Sequence, residues 1–243
     1  ATNAFRLYHV SQIQMTLPIS ITVYTRLAHF EQTIESLLNN NLADQSTLYV
    51  FSDAAREGDY EKVAQVRQFI AAIKGFKEVI PFYQSVNDMW RNQRQASVIP
   101  IRHHGAIIRM EDDLVTAKGF LEFLNSGFYK LKANKSIYSI TGYSPPLNCN
   151  LSHSNDFYLL PRASCWGYIQ DKRMLQVAHK RLALADYISL RKSGRLRSAG
   201  DDLPRLFLSD INSCLNAGDV RQTAFLLRNN LFMMYPRISL VRN

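Results

Sequence analysis

From Ile19 onward, short apolar runs alternate with stretches whose apolar residues recur at helical spacing. That alternation restricts the chain to a layered α/β domain whose sheet is mostly parallel, with helices packed on it. Ile19-Ser-Ile-Thr-Val-Tyr24 reads as a first strand, and Phe30, Ile34, Leu37 and Leu38 fall on one helix face behind it. Thr47-Leu-Tyr-Val-Phe51 is a second strand, followed by a helix marked by Val63, Val66, Ile70 and Ile73 and ended by Gly75. Glu78-Val-Ile-Pro-Phe82 reads as a third, its proline placing it at an edge or a strand end. Ala106-Ile-Ile-Arg-Met110 is the most buried-looking strand, and a helix carrying Phe120, Leu124 and Phe128 follows it. Ser136 to Ile140 is expected to continue the same sheet. Beyond Tyr143 the rhythm loosens into a polar loop over 147–156, a strand from Phe157 to Leu160, and helices near 171–190 and 203–216.

With 243 residues, 47% of them hydrophobic, the chain can bury a sizeable core, so disorder is excluded as its main state. Lys and Arg total 29 against 20 Asp and Glu, a net charge of +9 that favours anionic partners. No run reaches the ~18 apolar residues of a membrane span. The N-terminus lacks both an apolar signal core and an initiator Met, so the expectation is a soluble chain, open to being an excerpt of a longer one. Cys149, Cys165 and Cys214 are too few for a disulfide framework and point to a reducing compartment. The sequons at Asn134 and Asn150 are no more than composition alone would produce.

The chain has no P-loop, dinucleotide fingerprint, H-E-x-x-H, G-x-S-x-G or C-x-x-C motif, and only 10 glycines. A bound phosphate would therefore rest on side chains and a metal rather than on a glycine-rich loop. Glu111-Asp112-Asp113 stands just past the carboxyl end of the buried strand, where open α/β sheets place ligand chemistry. Three adjacent carboxylates repel one another unless a cation neutralises them, and hard oxygen ligands suit Mg²⁺ or Mn²⁺ bridging a diphosphate. The plainer reading is a helix cap, with acids favoured by the dipole of a helix over Thr116 to Tyr129.

The segment Met110-Glu-Asp-Asp-Leu-Val-Thr-Ala-Lys-Gly-Phe-Leu-Glu-Phe-Leu resembles the metal-site segment of GT-A fold glycosyltransferases, especially the N-acetylglucosaminyltransferase I type and related bacterial sugar transferases. The resemblance continues in order along the chain. Ile21 to Arg26 resembles their first strand and nucleotide loop, Val50 to Ala54 the second strand end, and Ser139 to Tyr143 the segment after the metal site. Ser164-Cys-Trp-Gly-Tyr-Ile-Gln-Asp-Lys-Arg173 resembles the acceptor-side segment, with Gly200-Asp-Asp-Leu203 and Tyr235 to Asn243 closing the match. One stretch departs: over Asn87 to His104, where relatives often show an asparagine- and glycine-rich helix start, this chain is basic.

The resemblance implies one GT-A-like domain over 1–243, with 18–143 binding the nucleotide-sugar and 144–243 the acceptor. It implies Asp113 as the metal ligand, Glu111 and Asp112 toward the ribose and the metal surroundings, Asp53 at the base, and Thr25 and Arg26 lining the nucleotide. Trp166 and Gly167 would meet the acceptor sugar, although a core tryptophan is the plainer reading. Asp201 or Asp202 would be the catalytic base, with Asp202 slightly preferred and helix capping as the alternative.

The activity so implied is metal-dependent transfer of a sugar, with inversion, from a nucleotide donor to a saccharide or lipid-linked hydroxyl. A UDP-sugar is the preferred donor, because a carboxylate at position 53 can accept the imino N–H of uracil. Nucleotidyl transfer to a sugar phosphate, or a non-enzymatic polyanion-binding module, are the alternatives. Nucleic acid is not expected as a partner. His103-His104 point in different directions on any regular element and are read as non-catalytic, and Cys165 as a small apolar residue. Basic residues at Arg91, Arg94, Arg102, Lys172, Arg173, Lys180, Arg181, Arg191, Lys192, Arg195 and Arg197 suggest a cytoplasmic protein able to rest on an anionic membrane surface.

Overall fold

The structure is a computed structural model that describes residues 15–131, 133–146, 156–178 and 180–243. Its elements are β1 (Ile19–Val23), α1 (Leu27–Leu38), β2 (Thr47–Ser52), α2 (Tyr60–Ala72), β3 (Glu78–Tyr83), α3 (Met89–His104), β4 (Ala106–Glu111), β5 (Val115–Thr116) and α4 (Phe120–Leu131). They are followed by β6 (Ile137–Ile140), β7 (Phe157–Leu160), β8 (Tyr168–Asp171), α5 (Lys172–Ala178), α6 (Leu184–Lys192), α7 (Leu203–Ile211), α8 (Gly218–Asn229), β9 (Phe232–Pro236) and β10 (Val241–Arg242). The main sheet has the order β3-β2-β1-β4-β8, parallel except for β8. This is the α/β class expected, a mostly parallel sheet flanked by helices.

Alternation along the strands assigns the two faces. Ile19, Ile21, Leu48, Val50, Ile108 and Met110 point into one large core with Phe30, Ile34 and Leu37 of α1, Val66 and Ile70 of α2, and Phe120 and Leu124 of α4. Tyr49 and Phe51 point to the opposite face, where Phe51 stacks on Phe82 at 4.5 Å and Ala96 of α3 covers them. As predicted, β3 with Pro81 lies at the sheet edge.

The helix α3 crosses from β3 at the edge to β4 on the far side of β1, and it contains Pro100. A proline lacks the N–H that would bond the carbonyl four residues back. That carbonyl, on Ala96, instead accepts the Ser20 hydroxyl of β1 at 2.6 Å. The proline thus opens a bond that ties the crossover helix to the central strand.

Several sequence expectations are corrected. Ser136 to Ile140 does not extend the main sheet, because the position beside β4 is taken by the antiparallel β8. β6 lies in a second sheet of order β6-β9-β7, joined to β8 by a single bridge between Thr141 and Tyr168. The helix expected over 171–190 is two, α5 and α6, and α7 stops at Ile211 where Ser213 turns left-handed (φ 61°). The polar loop over 147–156, with Cys149 and Asn150, lies outside the described residues except for Asp156. Among the described residues no helix is long and apolar enough to cross a membrane.

The helices α6, α7 and α8 share their own core around Leu190, Leu203, Phe207 and Val220. Inside it, Asp210 and Arg221, both buried, pair at 2.7 Å. Burial alone would raise the Asp210 carboxyl, but the Arg221 hydrogen bonds hold it below the usual range. Removing one member leaves the other buried and uncompensated, so Asp210→Ala is expected to cost about 3–5 kcal/mol in denaturant melts. Because the folded-state carboxyl titrates below its unfolded value, the wild-type contribution is full above pH of about 4 and fades as pH falls further. In Asp210→Ala that loss disappears from the stability profile.

Candidate active site

The crossover of α3 makes the gap between β1 and β4 a topological switch point: α1 and α2 lie on one face of the sheet and α3 on the other. Ligands of open parallel sheets bind in the crevice outside the strand carboxyl ends at such a point. Here those ends are Tyr24-Thr25-Arg26 after β1 and Glu111-Asp112-Asp113 at the end of β4, with Ser52-Asp53-Ala54 after β2 alongside.

The helix-cap reading of the acids is overturned. Between them and α4, which begins only at Phe120, the chain forms the strand β5. β5 pairs with β10, while Thr116 of β5 donates its N–H to the Ser36 hydroxyl of α1 and accepts from the amide of Asn40, just past α1, both at 3.0 Å. The acidic turn is therefore held from both sides and presented to the crevice.

Arg26 spans the turn, donating to Asp113 at 2.8 Å and to Asp112. Its pairing with Asp112 foremost raises the guanidinium pKa. Asp112 is nonetheless raised above the ordinary carboxylate range, because burial outweighs the arginine. Glu111 is raised as well, first by burial and then by the charge of Asp113. Two guanidiniums, Arg26 and the buried Arg109, act on three acids, and Arg109 gives its hydrogen bonds to carbonyls, a hydroxyl and an amide. Asp113 also keeps one oxygen, Oδ1, buried with no hydrogen-bond partner among the described residues.

That orphaned acceptor is the feature that fits a hard divalent cation. Among the described residues no group of three His, Cys, Asp or Glu side chains converges as a ready-made metal cluster. The acids therefore suit Mg²⁺ or Mn²⁺ held by one or two carboxylates and completed by ligand phosphates and water.

Asp53 is buried, and its Oδ1 accepts from the N–H groups of Ala54 (2.9 Å) and Asp88 (3.1 Å), tying the β2 end to the start of α3. Thr25 sits in the turn before α1, half-buried. Trp166 lies two residues before β8, whose pairing with β4 ends at Arg109 and Tyr168. Trp166, 36% exposed, lies edge-to-face against Tyr143 with ring centroids 4.7 Å apart, a partly open aromatic shelf. Gly167 has φ 63°, and its carbonyl accepts the Gly142 N–H at 2.7 Å.

The two late acids stand in the turn that leads into α7. Both Asp202 oxygens accept from Arg162, at 2.6 and 2.7 Å, and the Arg162 hydrogen bond lowers the carboxyl pKa. A carboxylate so held is a weak proton acceptor, whereas Asp201 beside it is exposed. Among the described residues no hydrogen bond or ion pair joins either to the acidic turn. His104 lies at the opposite end of the sheet, bonded to the Tyr49 hydroxyl at 2.9 Å. Burial pushes the Cys165 thiol far up, so it stays protonated.

Sequence reasoning missed the groups that frame the crevice. Arg109, buried within β4, donates to Ser20 O, Met110 O, Thr22 Oγ1 and Gln93 on the α3 face. Arg67 binds the Asp53 and Gln84 carbonyls and so fixes the ends of β2 and β3. Asn87 donates to the Ala54 carbonyl at 2.6 Å. A polar residue at the end of each run was the available signal for Asn87; an arginine within an apolar strand was the signal for Arg109.

No family model matches the chain, and no curated protein matches it in sequence. Solved structures similar to it include the mannosyltransferase PcManGT from Pyrobaculum calidifontis in complex with GDP-Man and Mn²⁺ (TM-score 0.44, 9% identity, 69% of this chain and 47% of that one). They also include S. aureus TarS 1–349 (TM-score 0.47, 8% identity, 91% and 60%) and the same protein in complex with UDP (TM-score 0.43, 10% identity, 67% and 48%). The chain covers less than two thirds of the length of each of these structures.

The glycines at the shelf leave no room for a side chain: a Cβ on Gly142 would stand 2.4 Å from the Phe120 ring and 3.3 Å from Val241. Gly142→Ala is expected to cost about 1–3 kcal/mol by overpacking, read as a lowered melting temperature. Gly119→Ala, which meets nothing within 4 Å, serves as the contrast and leaves the shelf contacts undisturbed.

Proposed function

We propose that the protein is a metal-dependent glycosyltransferase of GT-A type that moves a sugar, with inversion, from a nucleotide donor to a saccharide or glycolipid hydroxyl. The observation that carries this reading is the buried, unpartnered Asp113 Oδ1 in an under-neutralised acidic turn at the switch point. The ordered motif resemblance along the chain supports it.

In this reading Asp113, with Asp112 beside it, holds Mn²⁺ or Mg²⁺, which supplies neutralisation of the leaving diphosphate. Arg26, half-exposed and hinged at the start of α1, turns its guanidinium from the acids toward a phosphate. Asp53 keeps Oδ1 on the loop N–H groups and offers Oδ2 to the imino N–H of the base, which makes a UDP-sugar the preferred donor. Thr25 and Glu111 line the nucleotide. Trp166, beside Tyr143, takes the apolar face of the acceptor sugar, and Gly167 lets the backbone come close. The acceptor oxygen forms its bond to the anomeric carbon as the bond to the diphosphate oxygen breaks. The hydroxyl proton passes to a carboxylate, for which Asp201 is preferred because Arg162 already occupies Asp202.

Melting in the presence of UDP, GDP and their sugars, with and without Mn²⁺, tests the reading. A donor nucleotide at a hundred times its Kd raises stability by about 2.7 kcal/mol. The expected result is stabilisation by a nucleoside diphosphate only when Mn²⁺ is present, lost in Asp113→Asn. In turnover assays Asp201→Asn is expected to lower kcat by about 10²–10⁴ with donor binding unchanged. Metal-independent stabilisation, or full turnover in Asp113→Asn, contradicts the assignment.

A further inference from the structure

Outside the crevice, α6 carries a second unusual surface. One side of this helix buries Tyr187 and Leu190 against α7 and α8. The other leaves Leu184 55% and Ile188 43% exposed, one turn apart. Arg191 and Lys192 follow at three and four residues from Ile188, on the same stripe. Gly194 then reverses the chain with φ 70°, and a 3₁₀ turn over Arg195–Ala199 brings Arg197 back. Arg191 and Arg197 line one cavity of about 430 Å³ together with Tyr187, Gly194, Leu196 and Pro204.

The charge on this surface is uncompensated. Residues 191–197 hold four cations and no acid. Arg195 is engaged with Leu227 O and Asn230, but Arg191, Lys192 and Arg197 are exposed and make no ion pair among the described residues. Of the neighbouring acids, Asp186 pairs with Arg228 at 2.6 Å and Asp202 with Arg162, while the exposed Asp201 makes no ion pair among the described residues.

An exposed leucine, or an exposed arginine, needs no explanation by itself. Two large aliphatics running into three unpaired cations call for a partner that is apolar beneath and anionic above. A nucleic acid satisfies the cations and leaves Leu184 and Ile188 in water. A second copy of the chain, packed symmetrically, would bring like charges together. The boundary layer of an anionic bilayer satisfies both halves of the stripe.

We propose that the α6 stripe docks the protein on anionic phospholipid, with Leu184 and Ile188 entering the headgroup boundary and Arg191, Lys192 and Arg197 meeting lipid phosphates. The broader set of basic residues named from the sequence does not act as one face. Arg173 is paired with Asp171, and Arg181 is bonded to the Asp210 carbonyl.

Flotation of the full chain with phosphatidylcholine vesicles, with and without phosphatidylglycerol, tests this. The expected result is binding to the phosphatidylglycerol vesicles alone, weakening as salt is raised. Arg191→Gln and Arg197→Gln are each expected to lower the partition constant about fivefold. Leu184→Ser combined with Ile188→Ser is expected to leave only weak association that salt abolishes. Lys62→Gln on α2 is expected to change nothing, and melting curves confirm that the exposed-residue variants stay folded. Equal binding to neutral and anionic vesicles overturns the proposal, as does undiminished binding by the arginine variants. Binding to a polynucleotide but to neither vesicle overturns it as well, as does self-association in light scattering that Leu184→Ser removes.

Discussion

The central strand β1 lies between β2 and β4, parallel to both, and everything at the crevice depends on that placement. Because the chain must leave β3 at one edge and re-enter beside β1, α3 crosses the opposite face of the sheet from α1 and α2. The loops after β1 and β4 border the gap where the strand order reverses, and Arg26 of one bonds Asp112 and Asp113 of the other. The crossing is fixed by polar bonds as much as by apolar packing: Ser20 to Ala96, Gln93 to Thr22, and Asn92 to the Phe51 carbonyl.

Charge is the second determinant. Asp112 and Asp113 lie largely out of solvent, against a single arginine that is itself half-exposed. Burial keeps the acids short of full compensation, and the missing positive charge is the chemical demand that the crevice presents. Arg109, beneath the turn on the α3 face, adds positive potential but spends its donors on carbonyls, a hydroxyl and an amide rather than on carboxylates. The acidic end of β4 thus stays open to a cation from solution.

The first half of the fold was legible because its two periods are strong. Phe30, Ile34 and Leu37 trace one face of α1, and at least every second position of β1, β2 and β4 is a buried apolar residue. The helix α3 was not legible. Its buried face is Asn92, Ala96, Ser97, Pro100 and Ile101, so it shows little apolar periodicity, and its proline argues against a helix until Ser20 is seen to take the freed carbonyl. The sheet that β6 joins depends on where β8 comes back, a long-range register that a local run does not encode. Within the site, the acids and Asp53 stand after strands, whereas Trp166 precedes β8 and was named through the resemblance of its Trp-Gly segment. The hold of Arg162 on Asp202 spans 40 residues and was hidden, and with it the reason to favour Asp201.

In the proposed function, the acidic turn accepts a divalent cation together with a nucleoside diphosphate through Asp113. Titration of Mn²⁺ followed by electron paramagnetic resonance of the free ion reads this directly, without turnover or a known acceptor. The account predicts that the wild-type chain removes the free-ion signal strongly when UDP is present and weakly without it, and that Asp113→Asn leaves the signal as UDP alone does. An Asp113→Asn chain that binds Mn²⁺ and UDP as well as the wild type would contradict it.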